Sequence, residues 1–425
     1  MDLVVTEAPG KRRQIERALG PRFRVFATIG HFWRMPKELT PLGIDRSFRE
    51  TMRRPELRRA RALTRIAERA GRVYLATDAD DEGEVIAADC AAMLVGKPLY
   101  RAHIRDLEEQ TIRAAIEQAA AWRSGAETPG TARRILDRII GAVFSRDGKS
   151  CGRVISPLLQ RIGSGVVNPS SPAAPWNYGE FLLEAQRWLG LGVKESAHRL
   201  QNLYESGHLS YPRTANHGFS PATRKLLEGF ARRRTLVPRR SLPEQETDAP
   251  HEGLHPTPSG LRFVTLGADL MQQARDEALL SVLTRGLVSS MLGATVWWEI
   301  RAPAPLQADG LALAALIEIG LGRSSTYTGH ATRMLEDGLV CLGPERLTLS
   351  RRGEAWLDAA PDWLREPDFS RGAEQSFYRL ADQGASPGEI VERIVAALPA
   401  QARSAITAAL ESTQGATVEP VPPNY

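Results

Sequence analysis

The apolar run Val73-Tyr74-Leu75-Ala76-Thr77 passes without a spacer into Asp78-Ala79-Asp80-Asp81-Glu82-Gly83-Glu84, and then into an alanine-rich stretch. A short apolar run bounded in this way predicts a strand buried on both faces. Residues 84–95 have the composition of a helix. The same alternation occurs upstream. Leu3 to Thr6 is a short buried strand, residues 10–19 look helical, Phe23 to Ala27 is a second strand, and the arginine-dense segment 46–70 predicts a further helix. Strand–helix–strand spacing demands crossover connections, and therefore a largely parallel sheet.

Beyond residue 107 helical patterning dominates. Residues 108–145 predict helix, broken near Thr128-Pro129-Gly130. A breaker-rich linker then runs from Gly163-Ser164-Gly165 through Asn168-Pro169 to Pro175. Helices are expected over about 178–190, 194–206, 220–232 and 265–292, with a proline-rich segment over 234–260. Ala294 to Ala302 reads as a strand, residues 324–399 as mostly helical, and Gly415 to Tyr425 as a fraying tail. The expected fold class is multidomain α/β plus α, with a parallel-sheet domain followed by mainly helical domains and a small β-containing segment. The expected divisions are 1–115, 116–162, a linker at 163–177, 178–292, a short β segment at 293–318, 319–400 and 401–425.

A chain of 425 residues, 42% hydrophobic and 25% charged, suits a soluble globular protein of two to four domains. The three cysteines, Cys90, Cys151 and Cys341, form no C-x-x-C pair, which argues against a disulfide framework and a structural zinc site and for a reducing cytoplasm. Leu3-Val4-Val5 follows the N-terminus directly, so neither a signal peptide nor a membrane span is expected. Net charge is +5, and only six of the 55 basic residues are lysines. Arginine's planar fork suits phosphate oxygens, although arginine excess also follows from a GC-rich genome.

Glu7 follows the first strand and Asp78-x-Asp80-x-Glu82 follows the third, which places all four at carboxyl ends of strands, where open α/β sheets bind ligands. Crowded carboxylates repel one another unless a cation sits among them, and Mg²⁺ takes carboxylate, phosphate and water oxygens. The same acidic run could instead be a helix N-terminus favoured by the dipole.

Further along, Gly207-His208-Leu209-Ser210-Tyr211-Pro212-Arg213-Thr214 offers a phenol with a guanidinium two residues away. A phenol with an ordinary pKa of about 10 needs nearby positive charge to act as a nucleophile at neutral pH. Arg213 can supply that charge, and His251 can contact a phosphate or carry a proton. Tyr-Pro-Arg could equally be a surface turn, and His251 a hydrogen-bonded loop histidine. Gly148-Lys149-Ser150 imitates a phosphate-binding loop, but the required preceding glycine is Val143, so no nucleotide site is expected.

In their order along the chain, several blocks resemble the type IA DNA topoisomerases. Leu3 to Lys11 is similar to that family's opening strand, and Gly30-His31 with Met35-Pro36 resembles its next block. Leu75 to Glu84 looks like the signature of the Toprim domain, a metal-binding α/β unit. Ala132 to Arg138 and Ser150 to Pro157 resemble the blocks lining the DNA strand. Gln201 to Thr214 is similar to the active-tyrosine block, His251 to Thr257 to the following histidine block, and Arg323 to Val340 to a late helical one. The resemblance implies a Toprim-like domain and a helical topoisomerase core, with Tyr211 attacking a single-strand phosphodiester to give a 5′-phosphotyrosine. It further implies that Arg213 holds the scissile phosphate, with His251 as a phosphate contact or proton carrier, and that Glu7 and Lys11 assist proton transfer and phosphate positioning. Glu7, Asp78, Asp80 and Glu82 would hold Mg²⁺, while Arg133, Asp137, Arg153 and Arg323 would position DNA. The expected partner is single-stranded or negatively supercoiled DNA, the expected state a cytoplasmic monomer, and no ATP is needed.

The chain also departs from the family pattern. Asp81 stands where the family usually carries arginine or another non-acidic residue, Ala215 and Asn216 replace an Asp-Ser pair, and His255 replaces a common arginine. Little sequence separates residues 161 and 177, so the β-rich arch of the family is expected to be reduced, and no terminal zinc modules are expected. Two other readings stand beside the topoisomerase: a Toprim nuclease or primase-like enzyme, and a catalytically impaired DNA-binding relative.

Overall fold

In the computed structural model, residues 1–145, 151–246, 251–267, 269–293, 303–344 and 346–412 are described. The strand Asp2–Thr6 lies at the heart of a five-stranded sheet. It pairs in parallel with Phe23–Ala27 on one side and with Val73–Leu75 on the other. Leu99–Arg101 continues the parallel set, and Ala120–Ala121 closes that edge antiparallel. Leu3, Val5, Val73 and Leu75 are fully buried, as expected for central strands covered by helices. They share a core with Leu63 of the helix Leu57–Glu68 and with Ile86 and Cys90 of the helix Asp81–Met93. The register sets Leu3 beside Val73 and Val5 beside Leu75, so Glu7 and Asp78 leave the sheet at the same end.

The chain clusters into two compact units. One comprises Met1–Ile104, Ile112–Pro157 and the chain from Ala355 onward; the other comprises Arg105–Thr111 and Leu158–Glu354. Both are discontinuous in sequence. The first unit contains the sheet and a second core in which Ile135, Leu136 and Ile139 of the helix Thr128–Phe144 meet Phe377, Ile390 and Ile406. Those last three come from the C-terminal helices Pro367–Asp382, Pro387–Ala396 and Ala400–Ser412. The second unit is built largely of helices, among them Tyr178–Leu189, Val193–Glu205, Arg275–Leu292 and Ala308–Glu318. Asn177 opens the first of these with a reciprocal capping box to Glu180.

Several expectations need correction. The helix after the acidic run begins at Asp81, not at residue 84, because Asp80 takes the N-cap position and accepts the Gly83 N–H. Within 46–70 only Leu57–Glu68 is helical, and Arg54–Pro55 forms a short strand with Trp33–Arg34. The break expected near Thr128-Pro129-Gly130 lies just ahead of Pro129, between the helix Glu109–Glu117 and the next one. Pro129 sits in the first turn of Thr128–Phe144, where its missing N–H costs nothing. The helix expected over 265–292 starts at Arg275. In the described part of the expected β segment, Ala308–Glu318 is a helix, composed mostly of alanine and leucine and buried along most of its length. Within the stretch read as mostly helical, Val340–Leu342 and Arg346–Leu349 pair antiparallel, and Val166–Val167 joins them to make a three-stranded sheet. The expected strand at Ala294–Ala302, the triplet Gly148-Lys149-Ser150 and the tail Gly415–Tyr425 lie outside the described residues. Among the described residues, no helix is long and apolar enough to cross a membrane.

Candidate active site

In the first unit the carboxyl ends of two adjacent strands bring Glu7, Lys11 and Asp78 together. The Asp78 backbone N–H donates to Glu7 Oε1 at 3.0 Å, and Lys11 Nζ pairs with the Asp78 carboxylate. Lys11 is 3% exposed and Asp78 8%, so this is a desolvated charged cluster rather than a surface one. Burial, followed by the charges of Asp78 and Asp80, raises the Glu7 carboxyl to about 7. A carboxyl shifted this far changes protonation close to neutral pH, which is what proton transfer requires.

Gly83 allows the tight approach of the helix to this cluster. A Cβ there would stand 2.0 Å from the Asp78 carbonyl oxygen, an impossible contact. The space is taken instead by a turn in which Thr77 Oγ1 donates to the Gly83 carbonyl at 2.7 Å. Gly83→Ala should therefore push the helix N-terminus away from Asp78 and lower stability by roughly 2–4 kcal/mol. Urea unfolding checks this, and an unchanged midpoint would contradict the packing described.

The sequence-predicted metal ligands are only partly brought together. Glu7, Asp78 and Asp80 are close enough to influence one another electrostatically. Asp80 also caps its helix, and Glu82 turns to His31, whose Nε2 lies 2.5 Å from Glu82 Oε2. Hydrogen bonding to His31 holds Glu82 below the usual carboxylate range. For His31 itself burial works downward, but the carboxylates of Asp89 and Glu82 prevail and raise it to about 9. Among the described residues, no three His, Cys, Asp or Glu side chains already form a ligand set. The oxygen donors and the raised Glu7 nevertheless have the chemistry of a site that a hard divalent cation would relieve.

The other predicted residues of this unit form an ion-pair chain. Arg133 meets Asp81 at 2.8 Å and Glu374 at 3.1 Å, while Arg153 meets Asp137 and Glu374, each at 2.5 Å. Arg101, which sequence reasoning passed over, pairs with Glu84 at 2.6 Å and donates to the carbonyls of Leu75, Thr77 and Asp78. It ties the strand end to the acidic turn. Nothing in its local sequence distinguishes it from the other arginines.

Tyr211 lies in the second unit and is 2% exposed. Its ring stacks on His251 with centroids 4.2 Å apart and meets Tyr204 edge-on at 5.5 Å. The segment carrying it is strapped to the histidine block. Ser210 N–H donates to the His255 carbonyl at 3.0 Å, His255 N–H donates to Ser210 Oγ at 3.1 Å, and Thr257 Oγ1 donates to the Gly207 carbonyl at 2.6 Å. A small cavity beside the phenol is lined by Arg105, Asp106, Ser210, His251, Glu252 and His255. Asp106 is raised by burial, and the Arg105 carbonyl accepts the Tyr211 N–H. Arg105 and Asp106 were not foreseen; they arrive from about a hundred residues upstream. Arg213 is half-buried and lies within electrostatic reach of Tyr178, and Arg323 precedes the helix Tyr327–Glu336.

Comparison with known proteins supplies the context for this geometry. A family model described as the Toprim domain matches residues 2–114. DNA topoisomerase 1 of Aquifex aeolicus is 28% identical over 286 residues, covering 50% of this chain and 53% of that protein. DNA topoisomerase 1 of Treponema pallidum is 30% identical over 172 residues, covering 38% of this chain and 24% of that protein. The chain therefore spans about half or less of the length of these curated relatives. The structure of full-length topoisomerase I from Thermotoga maritima matches with a TM-score of 0.75 at 16% identity, covering 95% of this chain and 90% of that one. At that identity the likeness speaks to the fold.

Proposed function

We infer that this chain, with a Toprim domain at residues 2–114 and the fold of topoisomerase I, is a type IA DNA topoisomerase that cleaves and reseals one DNA strand without ATP and so relaxes negative supercoils. One observation carries the reading. A chain of this fold retains both a desolvated Glu7–Lys11–Asp78 cluster and a tyrosine stacked on a histidine.

In the proposed reaction the Tyr211 hydroxyl attacks phosphorus. The Oη–P bond forms and the phenol proton leaves to water as the P–O3′ bond breaks, giving a 5′-phosphotyrosine and, once Glu7 protonates the departing oxygen, a 3′-hydroxyl. Arg213 and His251 steady the charge that grows on the phosphate oxygens. Glu7 gives a proton to the departing 3′-oxygen and takes it back on resealing, while Lys11 holds the phosphate. The phosphotyrosine conserves the energy of the broken linkage, so no nucleotide is consumed. Glu7, Asp78 and Asp80 would hold Mg²⁺, with Glu82 able to join only by leaving His31. A bound Mg²⁺ supplies positive charge for the phosphate and the leaving oxygen. Arg133, Asp137, Arg153 and Arg323 would steer the single strand, and the protein would act as a cytoplasmic monomer with a reduced arch.

The test is a negatively supercoiled plasmid incubated with the protein and Mg²⁺ in the absence of ATP. A ladder of relaxed topoisomers is expected. Plasmid that is only nicked or linearised would favour a Toprim nuclease instead.

A further inference from the structure

Arg133 and Arg153, expected to grip DNA, are already gripping a carboxylate. Glu374 Oε1 lies 2.5 Å from Arg153 Nη1 and 3.2 Å from Arg133 Nε, and its Oε2 lies 3.1 Å from Arg133 Nη2. Two guanidiniums converging on one pair of oxygens is the geometry by which arginines hold a phosphate. We propose that Glu374 is a built-in phosphate mimic, seated between Arg133 and Arg153 in the DNA-free protein and displaced by a phosphodiester of the bound single strand. The proposal rests on the reading that this chain binds single-stranded DNA.

Three observations favour exchange over a fixed strut. The arginines stay organised without Glu374. Both guanidiniums lie 5.4 Å from the ring of Phe377, Asp81 holds the far side of Arg133, and Asp137 that of Arg153. The backbone here is fixed as well, since Ser370 Oγ donates to the Arg153 carbonyl. Second, exposure is graded in the required direction. The Glu374 side chain is 26% exposed against 11% for Arg133 and 4% for Arg153, so the carboxylate can swing into water while the arginines remain in place. Third, charge is conserved. A carboxylate and a phosphodiester each carry one negative charge, so the exchange leaves no buried cation unpaired, which would otherwise be the costly outcome. Asp81 strengthens the arrangement. It accepts from Tyr378 Oη at 2.5 Å and joins the helix that carries Glu374 to the start of the acidic helix.

Fluorescence anisotropy of a labelled oligo-dT on the full chain, with chelator present to prevent cleavage, tests the idea. Glu374→Gln removes the competing charge and keeps the shape, so binding should tighten, by roughly three- to tenfold. Glu374→Asp, too short to bridge both arginines, should fall between the variant and wild type. Equal or weaker binding by Glu374→Gln with an unchanged thermal midpoint overturns the proposal. If Glu374→Gln does not fold, Glu374→Asp decides, and equal or weaker binding by it overturns the proposal as well. Wild-type protein that binds oligo-dT but shows no tightening in either variant sinks this inference alone. Wild-type protein that never binds oligo-dT sinks the topoisomerase reading together with it.

Discussion

Tyr211→Phe should abolish relaxation of supercoiled plasmid, with residual activity at least about 10⁴-fold below wild type, because the variant lacks the hydroxyl that forms the proposed covalent intermediate. The variant should remain folded. Phe keeps the ring that packs between Tyr204 and His251, and losing one hydroxyl costs about 1 kcal/mol. A normal thermal midpoint with no relaxation therefore isolates chemistry from folding. The alternative reading, in which the Toprim carboxylates alone cut DNA, predicts that this variant still cleaves. Retained cleavage, measured as nicked plasmid, would transfer the activity to the acidic cluster and remove Tyr211 from the mechanism.

Glu7→Gln should move activity and stability in opposite directions. Gln cannot give and retake a proton, so the relaxation rate should fall by about 10²- to 10⁴-fold. In metal-free protein the same change should be stabilising near neutral pH. The Glu7 carboxyl is raised from 4.5 to about 7 by burial and by Asp78 and Asp80, so the folded chain holds this proton more tightly than the unfolded chain does. Its contribution to stability is complete below about pH 4.5, declines as pH rises towards 7, and is gone above that. Removing the ionisable group should therefore raise the unfolding free energy at pH 8 by on the order of 1–3 kcal/mol, with little difference at pH 4.5. Urea titrations at the two pH values in chelator check this. A variant less stable than wild type at pH 8 would mean that Glu7 is held by stabilising contacts rather than against repulsion. A site that sacrifices stability for chemistry is a familiar compromise.

The N-terminal half of the candidate site was legible because central parallel strands write themselves as unbroken apolar runs. Leu3 to Thr6 and Val73 to Thr77 announce the sheet, and whatever follows them falls at its ligand-binding end. The tyrosine stands out in the sequence through the order of the blocks around it, and in the structure its ring stacks on His251 of the following block. What remained hidden depends on contacts between distant segments. The wall of the Tyr211 cavity includes Arg105 and Asp106, which belong in sequence to the end of the sheet domain. The helix that brings Glu374 and Tyr378 to Arg133 lies some 240 residues further along the chain. No periodicity encodes such a return. The three-stranded sheet escaped notice because its strands are two to four residues long, too short for alternation to emerge. The start of the acidic helix was misplaced because Asp80, Asp81 and Glu82 suit a cap, a first helical turn and a cation equally well.

The most direct measurement traps the reaction midway. Single-stranded DNA labelled at either end is incubated with the protein and Mg²⁺, the reaction is stopped with denaturant, and the attached peptide is identified by mass spectrometry after proteolysis. The expected product is DNA joined through its 5′-phosphate to the peptide containing Tyr211, with a free 3′-hydroxyl on the other fragment. Cleaved DNA with no protein attached, or attached through a residue other than Tyr211, would contradict it.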